Sequence, residues 1–323
     1  MQYTKLGITD LEVSRICFGT WQFGGEWGDV EREEAVAAVR KAREAGINCF
    51  DTAQAYGWGE AERTLAGALR DDLESRRDEI VVATKGGLRR DGDAIERDSS
   101  ERCLRRGVEE SLRNLAVEHI DLYQVHWPDP SVPIEETAGV LDDLVREGKI
   151  RYAGVSNFSV EQMEAFERRR TLDAAQPPYH LFRRDVEEDV LPWCHQHAVG
   201  VLVYGPLAHG LLTGKFDEDT RFPDDDWRSA SDLFRGDAFR RNLETVHDLG
   251  RLADELGITV AQLAIAWALA NPAVHTAIVG ARKPDQIEET APAGDVRLDS
   301  DDLERIDTVM RGAVTVGGPS PEG

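Results

Sequence analysis

The chain contains no apolar run approaching the roughly 18 residues that a membrane-spanning helix needs. Its first twenty residues also lack a basic segment followed by a continuous apolar core, so neither a span nor a secretory leader is read and a cytoplasmic protein is expected. Cysteine is sparse. Cys17, Cys49, Cys103 and Cys194 stand far apart with no C-x-x-C, which excludes a disulfide framework and a zinc ribbon. Cys194-His195-x-His197 falls in a helix-like segment with no evident carboxylate partner and is not read as a metal site. Basic residues are in deficit, 38 Lys+Arg against 61 Asp+Glu for a net charge of −23, a field that repels phosphate backbones and argues against nucleic acid as a partner. One explanation of the acidic excess, with lysine scarce among the bases, is a high-salt cytoplasm. G-x-G-x-x-G is absent, which removes the fingerprint of the doubly wound dinucleotide fold. Gly210-Leu211-Leu212-Thr213-Gly214-Lys215 falls one residue short of a phosphate-binding P-loop, and Phe216 stands where that loop needs Ser or Thr.

What is present is a repeat of strand, loop and helix. Met1 to Ser14 reads as a short hairpin around Gly7-Ile8-Thr9-Asp10 that covers one end of the molecule. Strands are then expected at 16–20, 47–52, 80–85, 120–126, 152–156, 174–176, 201–204 and 277–280. Between them run helical spacings such as Leu104, Val108, Leu112 and Leu115, and the capping boxes Ser159-x-x-Gln162 and Thr259-x-x-Gln262 open two further helices. Eight βα units with right-handed crossovers close most simply into a (β/α)8 TIM barrel with an N-terminal β-hairpin. We therefore expect a single domain over 1–323, with 1–14 as a hairpin cap, 216–237 as a long βα loop and 312–323 as a C-terminal tail.

Barrel sites gather at the carboxyl ends of the strands, so the polar residues that end apolar runs are the candidates. Asp51, Lys85 and His126 end the second, third and fourth runs, and period-two alternation turns all three toward the barrel mouth. Ser156-Asn157, Gln176, Tyr204 and Gly280 end the next four. Taken singly each has a plain explanation: a cap or turn former for Asp51, a solvated lysine for Lys85, a hydrogen-bonded structural histidine for His126. Their coincidence at successive strand ends is what overrides those explanations. Trp21, Phe23, Trp27, Trp58, Trp127 and Trp227 either line a pocket at the open mouth or pack loops onto the rim.

Several stretches together resemble one family. Phe50-Asp51-Thr52-Ala53-x-x-Tyr56-Gly57, Thr84-Lys85, Gln124-Val125-His126-Trp127-Pro128, Gly154-Val155-Ser156-Asn157-Phe158, Gln176-Pro177-Pro178-Tyr179, Tyr204-Gly205-Pro206-Leu207 through Lys215, and Gly280-Ala281-Arg282-Lys283-Pro284-x-Gln286-x-x-Glu289 occur in order over almost the whole chain. In these the chain is similar to the aldo-keto reductase superfamily, and within it to the bacterial general-stress-protein-like branch.

The resemblance implies a catalytic tetrad of Asp51, Tyr56, Lys85 and His126. The chemistry fits, because a carbonyl reduced by hydride needs a proton on oxygen, and tyrosine becomes a usable acid/base only beside a cation such as Lys85, itself held by Asp51. It also implies NADP(H) as cofactor, with NAD(H) as the alternative. Thr20 and Trp21 would contact the cofactor, Ser156, Asn157 and Gln176 would hold the nicotinamide carboxamide, and Tyr204 would stack on its ring. Gly205, Leu207, Gly210 and Lys215 would follow the pyrophosphate, and Gly280, Arg282, Lys283, Gln286 and Glu289 the adenosine phosphate and adenine. Two positions depart from the family's usual asparagines, Thr290 beside the adenine and His180 after Tyr179. The expected activity is interconversion of a small aldehyde or ketone with its alcohol. The alternatives are a redox-sensing cofactor-binding regulatory subunit with little turnover, against which the lack of a long N-terminal extension and the intact tetrad speak, and an enzyme working mainly as a sugar or alcohol dehydrogenase.

Overall fold

The computed structural model describes residues 1–25, 30–92, 94–223, 226–229 and 231–316. Its strands are β1 (Tyr3–Lys5), β2 (Glu12–Ser14), β3 (Ile16–Gly19), β4 (Cys49–Asp51), β5 (Val81–Gly86), β6 (Leu88–Asp91), β7 (Ala94–Arg97), β8 (Ile120–Val125), β9 (Ile150–Ser156), β10 (Ala174–Gln176), β11 (Gly200–Tyr204) and β12 (Thr276–Gly280). The helices are α1 (Arg32–Glu44), α2 (Glu60–Ala68), α3 (Arg70–Ser75), α4 (Glu101–Leu115), α5 (Ile134–Arg146), α6 (Val160–Glu167), α7 (Val190–His197), α8 (Gly236–Glu255), α9 (Val260–Ala270), α10 (Pro284–Thr290) and α11 (Ser300–Met310).

Strands β3, β4, β5, β8, β9, β10, β11 and β12 pair in parallel and close, with β12 against β3, into the (β/α)8 TIM barrel. Parallel strands buried on both faces read as short continuous apolar runs, which is why all eight were visible in the sequence. Their inward side chains stack in layers: Cys17, Cys49, Val81, Ala83, Leu122, Ala174 and Leu202 form an apolar plug below the polar strand ends. The hairpin β1–β2 extends that plug, contributing buried Leu6, Leu11 and Val13. Gly7 at its turn has φ +54, and a Cβ there would stand 2.4 Å from the amide nitrogen of Gly200, so only glycine lets the hairpin lie this close to the barrel floor.

Both expected capping boxes are formed, at Ser159/Gln162 and Thr259/Gln262. Helix α4 departs from the apolar stripe read in its sequence. It buries Cys103, Gly107 and Ser111 together with Leu104, Val108 and Leu115, while Leu112 stays half exposed. The antiparallel hairpin β6–β7 was not foreseen; it follows Lys85 and Gly86 directly and so stands over the barrel mouth. The long loop ends at Arg235 because α8 already begins at Gly236. Of the expected tail, residues 312–316 return to the barrel, where buried Asn242 pairs with both backbone groups of Val314 and the Val316 N–H donates to Phe182 O. Residues 317–323 lie outside the described residues. Among the described residues no single helix is long and apolar enough to cross a membrane, and no group of three His, Cys, Asp or Glu is placed to hold a metal.

Candidate active site

Ladder register puts the ends of neighbouring strands at one level. Asp51 is opposite Ala83, and Lys85 is opposite Gln124, so successive inward positions converge on the axis of the mouth. Lys85 Nζ donates to Asp51 Oδ2 at 2.5 Å and to Thr52 O at 3.0 Å, and reaches Tyr56 Oη at 3.4 Å. From the far side of the barrel Gln176 Nε2 donates to Asp51 Oδ1 at 2.8 Å and lies 3.3 Å from Gln124 Oε1. The rings of Tyr56 and His126 meet edge-on at 5.7 Å. Asp51, Lys85, Tyr56 and His126 are therefore brought together, although Tyr56 comes from a turn beyond the strand rather than from the strand itself.

The Lys85–Asp51 pair is almost wholly buried, at 1% and 3% side-chain exposure. Burial pushes the Asp51 carboxyl above its ordinary range, against the opposing pull of Lys85 and of the Gln176 and Gln124 amides. Burial, helped by the Lys85 charge, pushes His126 well below the ordinary histidine value, so its imidazole is neutral at neutral pH. His126 Nδ1 is buried without a partner among the described residues.

Beside this cluster a cleft of about 330 Å³ runs outward from Asp51 and Tyr56. Of the residues expected at a cofactor, Thr20, Trp21, Gln176, Tyr204, Gly205, Leu207, Gly210, Lys215, Gly280, Arg282, Gln286 and Glu289 line it. Ser156 and Asn157 stand behind that wall: Ser156 Oγ donates to Gln176 O at 2.9 Å, and Asn157, in the left-handed conformation at φ +63, accepts from Tyr204 Oη at 2.8 Å. Lys283 is directed away from the cleft, its Nζ 3.3 Å from Glu34. Lys215 pairs with Glu289 at 2.9 Å, and Gln286 Oε1 accepts from the Arg282 N–H at 2.7 Å, which ties the far end together.

The cleft suits a dinucleotide. Thr20 Oγ1 is buried in its wall without a partner among the described residues, and Ala208, His209 and Gly210 are successive positive-φ residues, an uncommon backbone that brings the chain close along one side of the groove. The tryptophans divide. Trp21 lines the cleft and lies 6.5 Å from Tyr56, whereas Trp58 and Trp127 are covered by the Arg90 and Arg97 guanidiniums. Phe23 packs on Phe18 in the core. Trp27 and the side chain of Trp227 lie outside the described residues.

Residues that the sequence reading missed are Gln22, His209, Phe216 and Arg228, all lining the cleft. Burial and the Arg228 and Arg183 charges bring His209 down to about 4. Position 209 sits inside the glycine-bearing stretch already singled out, but no spacing rule marks it; Arg228 lay hidden in the long loop.

The family model for the aldo/keto reductase family matches residues 15–311. Aldo-keto reductase YhdN of Bacillus subtilis is 41% identical over 98% of this chain and 95% of its own length. A probable voltage-gated potassium channel subunit beta of Arabidopsis thaliana is 36% identical over 92% of each chain. The solved structure of the glycerol dehydrogenase AKR11B4 from Gluconobacter oxydans superposes with a TM-score of 0.90 at 38% identity, covering 98% of both chains. The chain belongs to the aldo/keto reductase family. It is an NAD(P)H-dependent oxidoreductase acting on carbonyl and alcohol groups.

Proposed function

We propose that the enzyme interconverts small aldehydes or ketones with their alcohols using NADP(H), with Tyr56 as general acid/base. The observation that carries this is Lys85 Nζ lying within reach of both Asp51 Oδ2 and Tyr56 Oη. An ammonium beside a phenol favours tyrosinate, so Tyr56 can give up a proton to an alkoxide and recover it near neutral pH. Asp51 pairs with that ammonium and aims it. His126 is neutral, so it donates a hydrogen bond that polarises the substrate oxygen but holds no spare proton to transfer, which leaves the proton step to Tyr56. The nicotinamide, when bound, supplies the hydride. Tyr204, tied by its hydroxyl to Asn157, offers a flat face for that ring, and Gln176, whose amide nitrogen is engaged on Asp51, keeps its amide oxygen for the carboxamide. Arg282 lines the cleft where a 2′-phosphate would lie and supports NADP over NAD; Lys283, paired with Glu34, adds less than the sequence suggested.

Kinship with channel subunits supports a second reading, a cofactor-binding regulator with little turnover. A panel of aldehydes, ketones, aldoses and alcohols tested with NADPH, NADH and their oxidised forms separates the two. We expect turnover with NADPH on at least one carbonyl class; tight nucleotide binding with no turnover on any of them overturns the enzymatic reading.

A further inference from the structure

The turn that carries Tyr56 is poorly held by its own backbone. Its first part is fixed to β5 by Thr52 N donating to Ala83 O at 2.9 Å and Gln54 N donating to Lys85 O at 3.0 Å. After that the backbone bonds among the described residues are local, such as Tyr56 N to Ala53 O and Trp58 N to Ala55 O, and Gly57, Trp58 and Gly59 all have positive φ. A non-glycine residue such as Trp58 persists there only when its surroundings impose it.

Two of the contacts around it come from α4. Gly107, Glu110, Ser111 and Asn114 fall at i, i+3, i+4 and i+7, one face of that helix. The Gln54 side chain is buried and its Nε2 donates to Glu110 Oε2. A Cβ on Gly107 would stand 3.0 Å from Gln54 Oε1, and one on Gly59 would stand 2.4 Å from Asn114 Nδ2. Asn114 Nδ2 in turn donates at 2.9 Å to Glu62, a fully buried carboxylate that also accepts from Thr84, the neighbour of Lys85. The helix therefore grips the turn at both ends, with Tyr56 between the grips.

We propose that Gln54 and Glu110 are positioning residues for Tyr56: their hydrogen bond clamps the turn to α4 and holds the phenol within reach of Lys85. The contact it protects is already long, at 3.4 Å, so a small relaxation of the turn removes the phenol from the ammonium. This rests on Tyr56 being the proton donor.

The test uses the full chain carrying Glu110→Ala, Glu110→Gln, Gln54→Glu or the double substitution Gln54→Glu/Glu110→Gln, beside Tyr56→Phe. Misplacing a reacting group by a fraction of an ångström costs rate and not nucleotide affinity, so Glu110→Ala should lower kcat about tenfold while NADPH Kd, read from protein fluorescence, stays within about twofold. The apparent pKa of its kcat/KM profile should move upward, as for a phenol less assisted by Lys85. Glu110→Gln keeps an acceptor oxygen and should retain wild-type kcat. Gln54→Glu sets two carboxylates against each other and should fall like Glu110→Ala, and the double substitution, which exchanges donor and acceptor, should recover. Wild-type kcat and pH profile in Glu110→Ala overturn the clamp, as does a loss that neither Glu110→Gln nor the exchange restores. If Glu110→Ala does not fold, the exchange pair alone decides. Turnover retained by Tyr56→Phe defeats the proposed function instead, independently of the clamp.

Discussion

Gln176 and Asp51, 125 residues apart in the chain, are joined across the barrel mouth by a 2.8 Å hydrogen bond from the amide nitrogen to the carboxylate. Under the proposed function the bond couples the strand end that would face the nicotinamide to the buried ion pair beside Tyr56, so that reaction chemistry and cofactor seating would share one side chain.

Replacing Gln176 by leucine removes a donor from a buried carboxylate, and stranding such a group costs about 1–3 kcal/mol. Asp51, already raised by burial, rises further and holds Lys85 less well. We expect NADPH Kd to weaken about tenfold and kcat to fall with it, by fluorescence titration and steady-state assay. A change in kcat with no change in Kd would show that Gln176 serves Asp51 alone.

Stability should decline on acidification through the histidines. His126 and His180 are held well below the ordinary value and His209 at about 4, each chiefly by burial. The unfolded chain takes up these protons near pH 6.5 while the folded chain does not, so their stabilisation is present above about pH 6.5 and is lost as pH falls. For His209 alone the loss reaches roughly 3 kcal/mol by pH 4. Thermal melts from pH 7.5 to 4.5 should show Tm falling less steeply in His209→Asn than in the wild type; parallel slopes would mean that His209 is not held neutral in the folded chain.

Nucleotide preference should depend on Arg282. With NADPH, kcat/KM for Arg282→Ala should drop about tenfold, the value of a lost charge-assisted phosphate contact, and with NADH it should stay within about twofold. Lys283→Ala should do less, because Lys283 already faces Glu34. Equal losses with both nucleotides would remove the 2′-phosphate from this end of the cleft.

The barrel was legible because most of its strand residues are buried on both faces, and several strands reach a polar residue at or just past their ends, as Asp51, Lys85 and Gln176 show. The hairpin β6–β7 was not, because Leu88-Arg89-Arg90-Asp91 and Ala94-Ile95-Glu96-Arg97 carry no apolar alternation; cross-strand pairing such as Arg89 with Glu96 supports it instead. The Tyr56 turn was the least legible part of the site. Its shape comes from positive φ at Trp58 and from Glu110 and Asn114 on a helix some fifty residues away, relationships that no local pattern carries. The one visible trace was the small and polar set Gly107, Ser111 and Asn114 flanking the apolar stripe of α4.

The proton role of Tyr56 is tested most directly by measuring kcat and NADPH Kd together in Tyr56→Phe. Losing a positioned general acid typically costs about two orders of magnitude, so kcat should fall by at least about 100-fold while Kd stays within about twofold. Wild-type turnover in this variant would contradict the assignment.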